Sequence, residues 1–128
     1  MKIAFSCTGE RISDSLDPRF GRCSYFIIYD EKSGDSKAVE NRGQHSGGGA
    51  GIAAAQQVID EKVNVVITRN MGPNAFDLMK ESGIKVYKGK QTSCQENFSL
   101  FEKSELNEIK EAGPAHGGMG KGFQGGKG

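Results

Sequence analysis

A chain of 128 residues with 17 basic against 16 acidic side chains, net charge +1, has room for one core and carries no overall field that would draw it to nucleic acid or a membrane surface. No stretch approaches the ~18 apolar residues of a membrane span, and Met1-Lys2-Ile3-Ala4-Phe5-Ser6 turns polar too early for a signal peptide. Three cysteines without tight spacing make no secreted disulfide framework, so the composition points to a cytoplasmic protein with reduced thiols.

Residues 2–7, ending at Cys7, form the first apolar run and read as a buried strand. A long polar loop from Thr8 to Arg22 follows, and Cys23 opens the second run, whose strand is Tyr25 to Asp30, rich in aromatic and β-branched residues. Glu31 to Asp35 is turn-forming and Lys37 to Asn41 gives a weaker edge strand, so the first three strands make an antiparallel meander. The period then changes. Gly47-Gly48-Gly49-Ala50-Gly51 leads into Ile52 to Ile59, with apolar residues at helical spacing. Val63 to Thr68 is a continuous apolar run suited to a strand buried on both faces. Pro73 suits the first position of a second helix and Gly83 its C-terminal cap. Ile84 to Tyr87 is a fifth strand. Ser93-Cys94-Gln95-Glu96 has capping-box form and opens a third helix that buries Cys94, Phe98 and Phe101 on one face.

Right-handed crossovers make the first, fourth and fifth strands parallel. The expected fold is α/β: a three-layer α/β/α sandwich on a mixed five-stranded sheet in the order 3-2-1-4-5. The domain spans residues 1–112. Residues 113–128 are dominated by glycine, have almost nothing to bury, and are expected to form a disordered tail.

Open α/β sheets bind ligands beyond the carboxyl ends of their parallel strands, where the winding reverses. Here that rim collects the loop at 8–23, the glycine-rich loop at 43–51, Arg69 to Gly72 with Asn70, and Lys88 to Ser93. It also gathers the thiols Cys7, Cys23 and Cys94, whose soft sulfur suits a soft metal or a metal–sulfur cluster. Cys94 sits at a helix start, where the dipole favours the thiolate, and Cys23 follows the cation Arg22; Cys7 is the cysteine best placed to be buried and inert. His45 lies in the glycine-rich loop as a further candidate ligand, and His116 is a tail residue. The run Gly47, Gly48, Gly49 before a helix can cradle an anion with backbone N–H groups. It fits neither a Walker A motif nor a dinucleotide fingerprint. Acids such as Asp14, Asp17 and Asp30 are scattered, no Ser/His/Asp or Cys/His pairing is evident, and the first strand carries no carboxylate for a metal nuclease.

The segment Asp17-Pro18-Arg19-Phe20-Gly21-Arg22-Cys23-Ser24-Tyr25-Phe26 resembles the Phe-Gly-Arg-Cys region of the dinitrogenase iron–molybdenum cofactor biosynthesis family. Gly47 to Gly51, Gly72-Pro73-Asn74-Ala75 and Gly83-Ile84-Lys85-Val86-Tyr87 match three further landmarks in order. The resemblance covers roughly residues 1 to 105. It implies a ribonuclease-H-like fold without nuclease activity and a role in binding, carrying or assembling iron–sulfur or molybdenum-containing clusters. Members acting in nitrogenase cofactor handling often have His-Phe-Gly where this chain has Arg19-Phe20-Gly21. Arginine does not ligate a metal here but pairs with an anion. With Cys23 and without that histidine, the chain is closer to the small stand-alone members, which include molybdenum–copper sulfide cluster binders.

Residues and resemblance together lead to a non-enzymatic cytoplasmic carrier of an anionic metal–sulfur cluster, whether iron–sulfur, molybdenum–iron–sulfur or molybdenum–copper–sulfide. Arg19, Arg22, Cys23, Gly47, Gly48, Gly49 and Asn70 are the expected contacts, with Cys7, Cys23, Cys94 and His45 as candidate metal ligands. Cluster-assembly proteins are the expected partners, with neither nucleic acid nor membrane. The alternative is a regulatory or protein-interaction module with redox-responsive cysteines and no cluster; a small hydrolase lacks catalytic residues.

Overall fold

The computed structural model describes residues 1–45 and 48–113. The expected tail beyond Gly113 lies outside the described residues. In chain order the elements are β1 (Lys2–Cys7), β2 (Tyr25–Asp30), β3 (Asp35–Glu40), α1 (Ala50–Asp60), β4 (Val65–Thr68), α2 (Pro73–Glu81), β5 (Lys85–Lys88), α3 (Cys94–Glu102) and β6 (Asn107–Glu108). The sheet order is β3-β2-β1-β4-β5-β6. The five expected strands therefore stand in the expected order, and a sixth is added. β6 pairs antiparallel with β5, Tyr87 opposite Glu108 and Lys88 opposite Asn107. Two polar residues carry no alternation, so nothing in the sequence marks β6 as a strand.

β1 is central, antiparallel to β2 and parallel to β4, which is parallel to β5. Its side chains alternate between two cores. Ala4 faces one core with Phe26, Ile28, Val66 and Val86, against Ala54, Ala55 and Val58 of α1 and Phe76 and Met79 of α2. Ile3, Phe5 and Cys7 face the other, with Ile27, Ile67 and Cys94 of α3. Tyr29 and Tyr87 extend that second core against Phe98 and Phe101, with ring centroids 4.6 and 5.1 Å apart. The result is an α/β/α sandwich with α1 and α2 on one face of the sheet and α3 on the other.

The helix ends follow local chemistry. Ser93 Oγ accepts the Glu96 amide at 3.0 Å, the first half of a capping box. Gly83, at φ +73°, ends α2 in a Schellman arrangement: its amide donates to Lys80 O and the Ile84 amide donates to Met79 O at 2.9 Å.

Candidate functional site

Beyond β1 the chain returns across the carboxyl end of the sheet and is fastened there. Ser6 Oγ donates to Asp17 O at 2.6 Å and the Asp17 amide to Ser6 O at 2.8 Å. The Asn70 amide donates to Pro18 O at 2.8 Å and the Phe20 amide to Asn70 O at 3.2 Å, so residues 18–20 run parallel to the chain leaving β4. Alternation along this segment turns Phe20 inward, against Phe26 at 5.3 Å, and Arg19 outward.

Arg19 is fixed by its neighbour two residues back. Its Nε and Nη2 each donate to the Asp17 carboxylate at 3.1 Å, and its own amide donates to the same carboxylate at 2.9 Å. The Asp17 side chain is 4% exposed and that of Arg19 55% exposed, so a buried anion holds one edge of a cation that faces outward. Its hydrogen bonds, and then its charge, raise the Arg19 pKa further above its ordinary value. Arg22 Nη1 donates to Gln44 O at 3.0 Å, tying the loop to the turn after β3. Beneath that turn, buried Asn41 donates to Gly21 O and Cys23 O and accepts the Gly43 amide at 3.0 Å.

Two helix N-termini close the site. α1 begins from Gly49, whose left-handed φ of 72° suits glycine, and α2 begins from Gly72 with Pro73 at its first position. Neither cap residue supplies a side-chain hydrogen bond, and neither helix has an acid in its first turn. Their leading N–H groups therefore lack both an intrahelical acceptor and a side-chain anion of their own. Gly21, Gly51 and Ala75 let the loop and both helix starts approach: a Cβ on Gly21 would stand 3.0 Å from the Gly51 nitrogen, and one on Gly51 would stand 3.5 Å from the Ala75 Cβ. Between loop and helices lies a cavity of about 310 Å³, bordered by Arg19, Arg22, Asn70, both helix starts and the apolar Phe20 and Ile52. Among the described residues that line it there is no carboxylate, thiol or imidazole.

Of the residues expected from sequence, Arg19, Arg22, Gly48, Gly49 and Asn70 meet at this cavity; Gly47 lies outside the described residues. His45 is exposed and does not line it. The cysteines do gather toward one end of the sheet, but the sheet divides them between two cores and all three are fully buried. Cys23 lies in the α1–α2 core with Sγ 3.4 Å from Phe20 O, and Asn41 Nδ2 is 3.7 Å from the sulfur. Burial pushes its pKa up to about 12, where Arg22 was expected to lower it, because the thiol packs inward. Cys94 holds the expected helix-start position, yet the hydrogen bond with Cys7 and then burial push its pKa up. The same hydrogen bond lowers that of Cys7, the reverse of the expected ranking. No group of three or more His, Cys, Asp or Glu side chains that could hold a metal ion occurs among the described residues. The α2 start was not singled out as a contact. Its Gly-Pro pair after a buried strand is the same kind of signal that marked α1.

The family model for dinitrogenase iron–molybdenum cofactor matches residues 1–104. An uncharacterized protein of Methanocaldococcus jannaschii is 34% identical over 113 residues, spanning 86% of this chain and 92% of that one. Among solved structures, the apo form of the orange protein from Desulfovibrio gigas matches with a TM-score of 0.82 at 28% identity, over 86% of this chain and 93% of that one. A NifB-like protein of Thermotoga, placed in the DUF35 family, matches with a TM-score of 0.75 at 34% identity, over 84% of this chain and 91% of that one. No helix among the described residues is long and apolar enough to cross a membrane.

Proposed function

Because the chain belongs to the dinitrogenase iron–molybdenum cofactor family, we propose that it is a non-enzymatic carrier that receives a preassembled anionic metal–sulfur cluster in the cavity between its loop and two helix starts. The observation that carries this reading is the make-up of the cavity wall: two arginines and two uncapped helix N-termini, with no carboxylate among the described lining residues. Negative charge is favoured there by both helix dipoles and by both guanidinium groups. The buried thiols stay in the cores, so the cargo is held by charge and N–H donation rather than by sulfur ligation. Phe20, Ile52 and Pro73 give it apolar walls, which suits a large, soft, polarisable anion such as a thiometallate.

The test is a titration of tetrathiomolybdate with copper(I) into reduced protein, followed by visible absorption and backbone amide shifts. The expected result is a saturable charge-transfer band with shifts centred on residues 19–22, 48–52 and 70–75. Shifts confined to residues outside the cavity, or none at all, overturn the proposal and return the site to the protein-interaction reading.

A further inference from the structure

The described residues end beside the anion cavity. Past β6 the chain stays fastened to the domain: the Ile109 amide donates to Val86 O at 2.7 Å, Ile109 and Ala112 pack on the α1–α2 core, and the Gly113 amide donates to Met71 O at 2.9 Å. Met71 is buried, and its two chain neighbours, Asn70 and Gly72, both border the cavity. The last fastened residue therefore sits one residue from the cavity wall. Residues 114–128 follow, among them His116, Met119, Lys121, Phe123 and Lys127, with two lysines and no acid. At about 3.3 Å per residue, His116 can stand about 10 Å from Gly113 and Lys121 about 26 Å. A domain of this size has a radius of gyration of only about 13 Å, so the whole cavity mouth lies within their range.

We infer that residues 114–128 form the outer wall of the loaded cavity, closing over the bound anion with His116 as a ligand to its metal and Lys121 and Lys127 as its counter-charges; this rests on the cargo role proposed above. The described residues that line the cavity offer charge and N–H donors but no imidazole or thiol. A soft metal in the cargo takes a neutral imidazole readily. The three thiols are locked in the two cores, and His45 is exposed but off the cavity wall. His116 is the imidazole whose point of attachment stands beside the cavity. Met119 and Phe123 supply apolar cover for Ile52, which is 42% exposed at the cavity border.

Charge makes this closure conditional on cargo. Without an anion the cavity wall presents two arginines and two helix N-termini, so a segment with two lysines and no acid is repelled from it. A multiply charged anion in the cavity reverses the sign of the local field and draws the same segment in. Ordering the segment costs conformational entropy, which the attraction to the anion must offset, so the closed form belongs to the loaded protein alone.

The test titrates full-length protein with tetrathiomolybdate plus copper(I), and separately with tetrathiomolybdate alone, whose metal is already enclosed by sulfur. Backbone amide shifts and affinity are the readouts. With copper(I), amides of residues 115–123 should shift with the same midpoint as those of 19–22, 48–52 and 70–75. His116→Ala should weaken the copper-containing cargo at least fivefold and leave tetrathiomolybdate alone unchanged, whereas His45→Ala, which removes the other imidazole, should change neither. Lys121→Ala combined with Lys127→Ala should weaken both cargoes at least threefold, a loss that shrinks as salt is raised. The charge-matched pair Lys32→Ala and Lys85→Ala, both exposed and away from the cavity, should not. Cavity shifts with unmoved amides at 115–123, or His116 and lysine variants that bind like the wild type, overturn the inference and leave the carrier reading standing. Shifts at 115–123 without cavity shifts, or no binding by the wild type, overturn the carrier reading and the inference with it.

Discussion

Gly21 and Gly51 meet backbone to backbone: a Cβ on Gly21 would stand 3.0 Å from the Gly51 amide nitrogen and 3.1 Å from its Cα. The arginine loop thus rests directly on the first turn of α1, and that contact sets the width of the cavity mouth.

Gly21→Ala is therefore expected to push the loop off α1, since the clash falls on backbone rather than on a movable side chain. The cost should be about 1–3 kcal/mol of stability, the usual range for overpacking. Chemical denaturation measures the loss. Gly48→Ala, where a Cβ would meet nothing within 4 Å, should leave stability within about 0.5 kcal/mol, as surface substitutions do.

Arg19→Ala is expected to weaken thiometallate binding about tenfold, about 1.4 kcal/mol, in the lower range for a charge-assisted hydrogen bond because the side chain is half-exposed. Arg19→Lys should recover only part of this, because an ammonium cannot both keep the two-pronged grip on Asp17 and point a planar fork outward. Lys32→Ala, in the exposed turn between β2 and β3, should leave the affinity unchanged. Calorimetric titration of the three variants, repeated at two salt concentrations, separates local contact from overall charge.

Ser93→Ala removes the oxygen that accepts the Glu96 amide at 3.0 Å and should cost about 1 kcal/mol, with the midpoint of thermal unfolding as the readout. Ser93→Asp should retain most of the stability.

That cap was legible in the sequence because Ser93 and Glu96 act within one turn, and the same holds for Gly83 and Pro73. The meeting of Arg19, Gly49 and Asn70 was legible for a different reason: the crossover rule delivers all three segments to one end of the sheet. The bearing of the thiols was not. Both faces of β1 are buried, so alternation tells that Cys7 shares a face with Ile3 and Phe5 but not which helices cover that face. Cys94 shows the related limit, since a helix-start position lowers a thiol's pKa only where the sulfur stays solvated, and here it is buried against Cys7.

Cys23 gives the last prediction, a pH dependence. Its pKa rises from an ordinary 9.0 to about 12 in the folded chain, first because it is buried and then because of the nearby Asp17 charge. Between those values the unfolded chain has lost the Cys23 proton and the folded chain keeps it, so the unfolded state binds fewer protons and stability falls as pH rises. The contribution is intact below about pH 9 and is drained as pH climbs toward about 12, at a limiting slope of about 1.4 kcal/mol per pH unit. Denaturant midpoints of the wild type and of Cys23→Ala, measured from pH 7 to 11, should start offset by the packing lost with the sulfur and then converge, because only the wild type carries this term. Parallel curves across that range would mean that the Cys23 thiol is solvated in the folded protein, and the inward packing described for it would be wrong.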